Sequence, residues 1–173
     1  MHTDTPAAPA RRTHPIAGVL AGLVGGCAYL LAQLAFAATV LGGTGWEPLE
    51  RISAMLLGEQ FLPVTGDVNL TIAGFALLIH FAFSMVFGRI VDVVVRGGAL
   101  PFALGAGVLL GLALYGLDYW LVAPLAFPWF DGARGVTTVL DHAAFGAITA
   151  AAYVALRSRW QVEAPDTPAL QGR

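Results

Sequence analysis

Four long apolar runs separated by short polar stretches organise this chain, at about residues 16–41, 70–95, 100–127 and 136–156. The hydrocarbon core of a bilayer needs roughly 20 apolar residues of helix, and each run is long enough. None shows the strict alternation of a barrel strand. The pattern predicts an all-α polytopic membrane protein: four transmembrane helices in an up-down-up-down four-helix bundle over residues 15–159. The tails, residues 1–14 and 160–173, are rich in Pro, Ala, Thr and charge and read as disordered.

The runs also carry an internal repeat. Gly18–Leu23 reads GVLAGL and Gly107–Leu112 reads GVLLGL. The span after each holds His-x-x-Phe, as His80/Phe83 and His142/Phe145. Aligning the histidines puts Ser84 on Gly146. This predicts two duplicated hairpins of the same orientation, related by a pseudo-twofold axis along the membrane normal. Between the first two spans, Trp46–Gly58 reads as an outward-facing interfacial amphipathic helix. Trp46, Leu49, Ile52, Met55 and Leu56 fall on one side; Glu47, Glu50, Arg51 and Ser53 occupy the rest. Glu47 and Pro48 suit a first turn and Gly58 a helix end. A lid over the outer end of the bundle is the simpler role for it; a gate or a partner-docking element is the alternative.

Composition agrees with a lipid solvent. The 173 residues are 57% hydrophobic and 12% charged, about half the charged share of an ordinary soluble domain, with a mean hydropathy of +0.73. There is no Lys, and a net charge of −2 without a basic stripe gives no reason to expect nucleic acid. A single cysteine, Cys27, excludes an intrachain disulfide and a Cys-based zinc site.

Arg near the span ends sets the orientation. Arg11, Arg12, Arg89, Arg96, Arg157 and Arg159 lie toward one side, and Arg51 and Arg134 toward the other. Both termini are therefore expected in the cytoplasm, in a bacterial inner membrane. Arg89 and Asp92 sit three apart and can pair, or mark the membrane exit with Arg89 snorkelling. Val24–Cys27 resembles a lipobox and Ala35-Phe36-Ala37 a signal-peptidase site, but the unbroken apolar run from Ile16 to Leu41 favours an uncleaved first helix.

Helices in lipid associate where small residues allow close backbone approach. Gly18, Gly22 and Gly25 are expected to share one packing face, Gly107 and Gly111 another, and Gly146 to serve the fourth helix. Eleven residues beyond Gly18 and Gly107, about three turns, come Tyr29 and Asp118, with Gln33 one turn further. Asp118 lies about 12 Å below the outer end of its span, His142 about 9 Å and His80 about 16 Å. An ionisable group at such depth is a functional candidate by default.

Three readings of His80, Asp118 and His142 compete. They are interhelical polar glue, a protonatable site of a small transporter or channel, or a ligand set. In the last, His80 and His142 hold a b-type haem, or join Asp118 around a metal; no cofactor is otherwise predicted. Asn69 caps the second span more plausibly than it carries a glycan. Trp46, Trp120 and Trp129, with Tyr119 and Phe130, read as outer interfacial anchors, and Trp160 as an inner one. No nucleotide loop, HExxH, GxSxG or ordered Ser/His/Asp set is present, so nothing points to an enzyme.

A Gly-rich first span, the stretch Gly45–Gly58 with Trp46, and a His-bearing second span resemble a group of small four-helix bacterial integral membrane proteins of unknown function. Some carry the label sodium:proline symporter. The resemblance implies the fold and no mechanism: such symporters have many more spans, with broken helices that hold sodium, and no span here has a Gly/Pro break at mid-depth. The expected role is non-enzymatic, as an accessory or scaffold subunit of a membrane assembly or as a homo-oligomer, with the bilayer and another membrane protein as partners. A small proton-linked carrier is the rival.

Overall fold

In the computed structural model, residues 13–62 and 64–162 are described, and the regular structure among them is entirely helical. Helix α1 runs Pro15–Thr39, α2 Glu47–Leu57, α3 Leu70–Val95 and α4 Leu100–Leu117. A π-helical turn, Asp118–Val122, continues α4 into the short α5, Ala123–Ala126; α6 runs Val136–Val162. Pro15, Pro48 and Pro101 each stand in a first turn, where the missing N–H would have no helical partner. Asn69 caps α3, its Oδ1 accepting from Thr71 N at 3.0 Å and Ile72 N at 3.2 Å. Four stretches are long and apolar enough to cross a bilayer: Pro15–Thr39, Leu70–Val95, Leu100–Ala126 and Val136–Arg159.

One boundary differs from expectation. The fourth span continues through Arg157 to Val162, because Arg157 is buried and bonded rather than released to water. α1 is continuous through Cys27 and Ala35-Phe36-Ala37, and its first turns are packed against α3. Cleavage at either site would remove part of the bundle. The disorder expected of the tails falls largely on residues 1–12 and 163–173, outside the described residues.

α1 pairs with α3 and α4 pairs with α6, and in both hairpins glycines set the distance. A Cβ on Gly22 would collide with the Ser84 carbonyl, 2.9 Å from its carbon, and one on Gly111 with the His142 carbonyl, again 2.9 Å from its carbon. Gly88 lies against Gly18 and Gly22 as Gly146 lies against Gly107 and Gly111. The hairpins are thus alike, but the matched residues are Gly88 with Gly146 and Ser84 with His142. The expected pairing of His80 with His142 is off by one helical turn. The crossing glycines, not the His-x-x-Phe spacing, define the register: Phe145 is buried at 6% exposure while Phe83 stands 63% exposed.

The expected twofold also fails between the hairpins. α1 packs along α6, whereas α4 meets α3 only slightly. α1 is therefore a central helix with two faces: Gly18, Gly22 and Gly26 meet α3, while Gly25 turns to Thr149 and Phe145 of α6 instead of sharing the face of Gly18.

α2 packs on α3 and touches the same end of α1, burying Leu49 over Leu30, Ala73 and Ala76. We call this the lid end, and the opposite one the termini end. The buried face is rotated from the expected one. Glu50 and Ser53 are buried, while Leu56 is 59% exposed. The reason is that Glu50 serves the following loop, accepting from Thr65 N at 3.3 Å, Thr65 Oγ1 at 3.0 Å and Gly66 N at 2.8 Å. Glu47 does the same for the preceding loop, from Thr44 N at 2.8 Å and Gly45 N at 2.9 Å. The Thr44 amide, first among these donors, holds the Glu47 carboxyl below the usual carboxylate range.

Gly22→Ala and Gly111→Ala each improve helix propensity yet should destabilise the bundle by about 1–3 kcal/mol through overpacking. Gly105→Ala, with nothing within 4 Å of the added Cβ, should leave stability unchanged or raised. Unfolding of the three variants in one detergent checks this.

Candidate functional site

The bundle holds two polar clusters, one toward each end. At the lid end, His142 of α6 is buried. Its Nδ1 lies 2.8 Å from the Thr138 carbonyl oxygen. A carbonyl only accepts, so Nδ1 carries a proton. Nε2 faces Asp118 Oδ2 at 3.8 Å. Three tyrosines surround the imidazole: Tyr29 of α1, with ring centroids 5.1 Å apart, and Tyr115 of α4 and Tyr119 of the π-turn, each at 5.7 Å. One residue back on α6, Asp141 Oδ2 accepts from Gln33 Nε2 of α1 at 2.5 Å.

Sequence reasoning joined Asp118 to His142, and the structure does bring them together. It does not bring in His80. The His80 Nε2–H donates to the Gly26 carbonyl at 2.9 Å, and its ring stacks on Tyr29 at 5.9 Å. Tyr29 thus packs against both imidazoles and fills the space a haem between them would need. No three His, Cys, Asp or Glu side chains converge on a metal position among the described residues. The ligand reading of His80, Asp118 and His142 therefore does not fit this geometry.

At the termini end, Asp92 of α3 is fully buried. Its Oδ1 accepts from the backbone N of His14 at 2.9 Å and from the Tyr153 hydroxyl at 2.6 Å, and Oδ2 pairs with Arg89. α1 has no capping side chain of its own; Asp92 supplies the carboxylate, which also suits the positive end of the helix dipole. Gly18 makes this possible, since a Cβ there would sit 2.9 Å from that of Asp92. Arg157 donates to the Gly98 carbonyl and lies 5.3 Å over the Tyr153 ring. Arg89 and Asp92 do pair, and Asp92 joins α1, α3 and α6.

Between the clusters lies an apolar level. Phe87 and Phe145 are buried with ring centroids 4.6 Å apart. His142 and Tyr153 are eleven residues apart on α6, about 16 Å, and Phe145 stands in that interval.

Several members of these clusters escaped the sequence reading. Asp141 lies inside an apolar run, and the rule that flagged Asp118 flags it equally. Tyr119, expected in an aromatic belt, turns inward. Tyr153 falls on the packing face expected for the fourth helix with His142, Gly146 and Thr149, but its partner and that of Arg157, 61 and 59 residues away, gave no local signal. Of the expected anchors, Trp120 is exposed beneath the Arg134 guanidinium at 4.8 Å. Trp129 Nε1 donates to the Arg51 carbonyl at 3.2 Å, and Trp46 packs into the apolar cluster under α2. The Trp160 side chain lies outside those described.

Fold and clusters together define a multi-pass α-helical membrane protein whose polar groups are turned inward. No family model, curated protein or solved structure matches the chain.

Removing the Asp92 carboxylate leaves the Tyr153 hydroxyl and the α1 N-terminus without an acceptor. Asp92→Ala should cost about 3–5 kcal/mol, and Tyr153→Phe about 1–2 kcal/mol. Thermal unfolding in detergent measures both.

Proposed function

We propose that this protein is a non-enzymatic integral membrane protein that acts by association, as an accessory or scaffold subunit or as a homo-oligomer. The observation that carries the reading is the uneven burial of the four spans. Only 17% of the α4 span is buried, against 28%, 28% and 33% for the others. α4 leans mainly on α6, and a Cβ on its Gly105 or Gly116 would meet nothing within 4 Å among the described residues. A helix with that much free surface and small residues suits a helix–helix contact within the bilayer. The Arg distribution supports a bacterial inner membrane with both termini in the cytoplasm, which places α2 outside. Kinship with the small four-helix bacterial membrane proteins belongs to the same proposal.

A photo-crosslinker placed at Leu109 on α4, 68% exposed, and in a second variant at Leu31 on α1, 67% exposed, tests it. Protein adducts in native membranes should concentrate at Leu109. Monomer alone at both positions would overturn the proposal.

A second reading, a small proton-linked carrier, is favoured by the Asp118–His142 pair. It requires pH-dependent flux in liposomes that Asp118→Asn abolishes; absence of flux in the parent removes it.

A further inference from the structure

We infer that His142 Nε2, together with Asp118, forms a binding site for a single proton, and that its occupancy sets how firmly the lid end of α4 is held on α6. The Thr138 carbonyl fixes the proton on Nδ1, so Nε2 is the only basic nitrogen left to the ring. Its lone pair faces a carboxylate oxygen at 3.8 Å. With no proton in that gap, two acceptors oppose one another. With one proton they become an ion pair or a hydrogen bond. The site therefore gains a bond on taking up a proton from solvent, which raises the charge of the site by one. The Asp118 side chain is 42% exposed, whereas His142 is buried, so the carboxylate is the outer member of the pair.

Among the described residues the surroundings add no second cation. α1 contributes Tyr29 and Gln33, α4 and its π-turn contribute Tyr115, Asp118 and Tyr119, and α6 contributes Asp141, which Gln33 already engages. His80 lies beyond Tyr29, bonded to Gly26.

The mechanical element is the π-turn itself. Asp118 is its first residue, and Pro124 follows within the next turn. A single π-turn is an extra residue in the α ladder, a form with a regular alternative and one that recurs at functional positions. Because α4 rests on α6 and hardly on α3, a bond gained or lost between Asp118 and His142 acts on one interface. This deepens the reading of α4 as the contact helix, because protonation then governs how that helix is presented.

The test uses full-length protein, one copy per nanodisc, so the outcome does not depend on association. Imidazole 15N shifts of His142, assigned with His142→Gln, are followed from about pH 5 to pH 8. In a Cys27→Ser background, spin labels at Leu117 and Leu140, both exposed, report the α4–α6 distance. The expected result is one titration of Nε2, with the distance distribution narrowing on the acid side at the same midpoint. Asp118→Asn should move that midpoint and uncouple the distance from it, in a protein whose helical content is unchanged. A His142 that does not titrate, a distance that ignores its titration, or a midpoint unmoved by Asp118→Asn each overturns the inference. Loss of crosslinking at Leu109 with the titration intact would instead sink only the association proposal.

Discussion

Everything in this bundle depends on two places where backbones touch. Lipid tails are as apolar as leucine, so helices gain little by hiding apolar side chains from them. What remains is packing, and packing is strongest where no Cβ intervenes. Gly18, Gly22 and Gly88 bring α1 onto α3; Gly107, Gly111 and Gly146 bring α4 onto α6. Once those crossings are set, the remaining geometry has little freedom. Ser84 and His142 come to equivalent positions, Asp92 reaches the start of α1, and Asp118 comes level with His142.

The polar residues follow from that closeness. Each would be costly against acyl chains, and most of those buried find a partner on another helix or an earlier turn of their own, the Thr149 hydroxyl being an exception. Gln33 meets Asp141, His80 meets Gly26 and Asp92 meets Tyr153. The apolar level of Phe87 and Phe145 keeps the two clusters apart, so each end of the bundle has its own electrostatics. The lid end holds its acidic groups beside a histidine, and the termini end balances one buried carboxylate against arginines.

Much of this was legible in the sequence, for physical reasons. Span length and apolarity are local properties, so four spans could be read directly, as could the Asn69 cap, while the end of the fourth span depends on the distant partner of Arg157. Glycine spacing on α1 and α4 announced close contacts. The register of the repeat was not legible, because Gly88 matches Gly146 only through its contacts, while His80 and His142 match by letter. Nor could the π-turn be read, since Asp118–Val122 contains no helix breaker. The rotated face of α2 was hidden because Glu50 is buried by the amides of a loop fifteen residues on. Orientation within the membrane is a property of charge outside the bundle, and helix packing does not speak to it.

The carboxylate of Asp92 has a consequence for biogenesis. A chain enters the membrane from its amino end during synthesis, so α1 arrives with the amide of residue 14 lacking its acceptor. That acceptor lies 78 residues downstream, and the hydroxyl that steadies it another 61 beyond. The start of α1 can thus be tied down only once α3 has been made, and that tie is steadied only once α6 has been made.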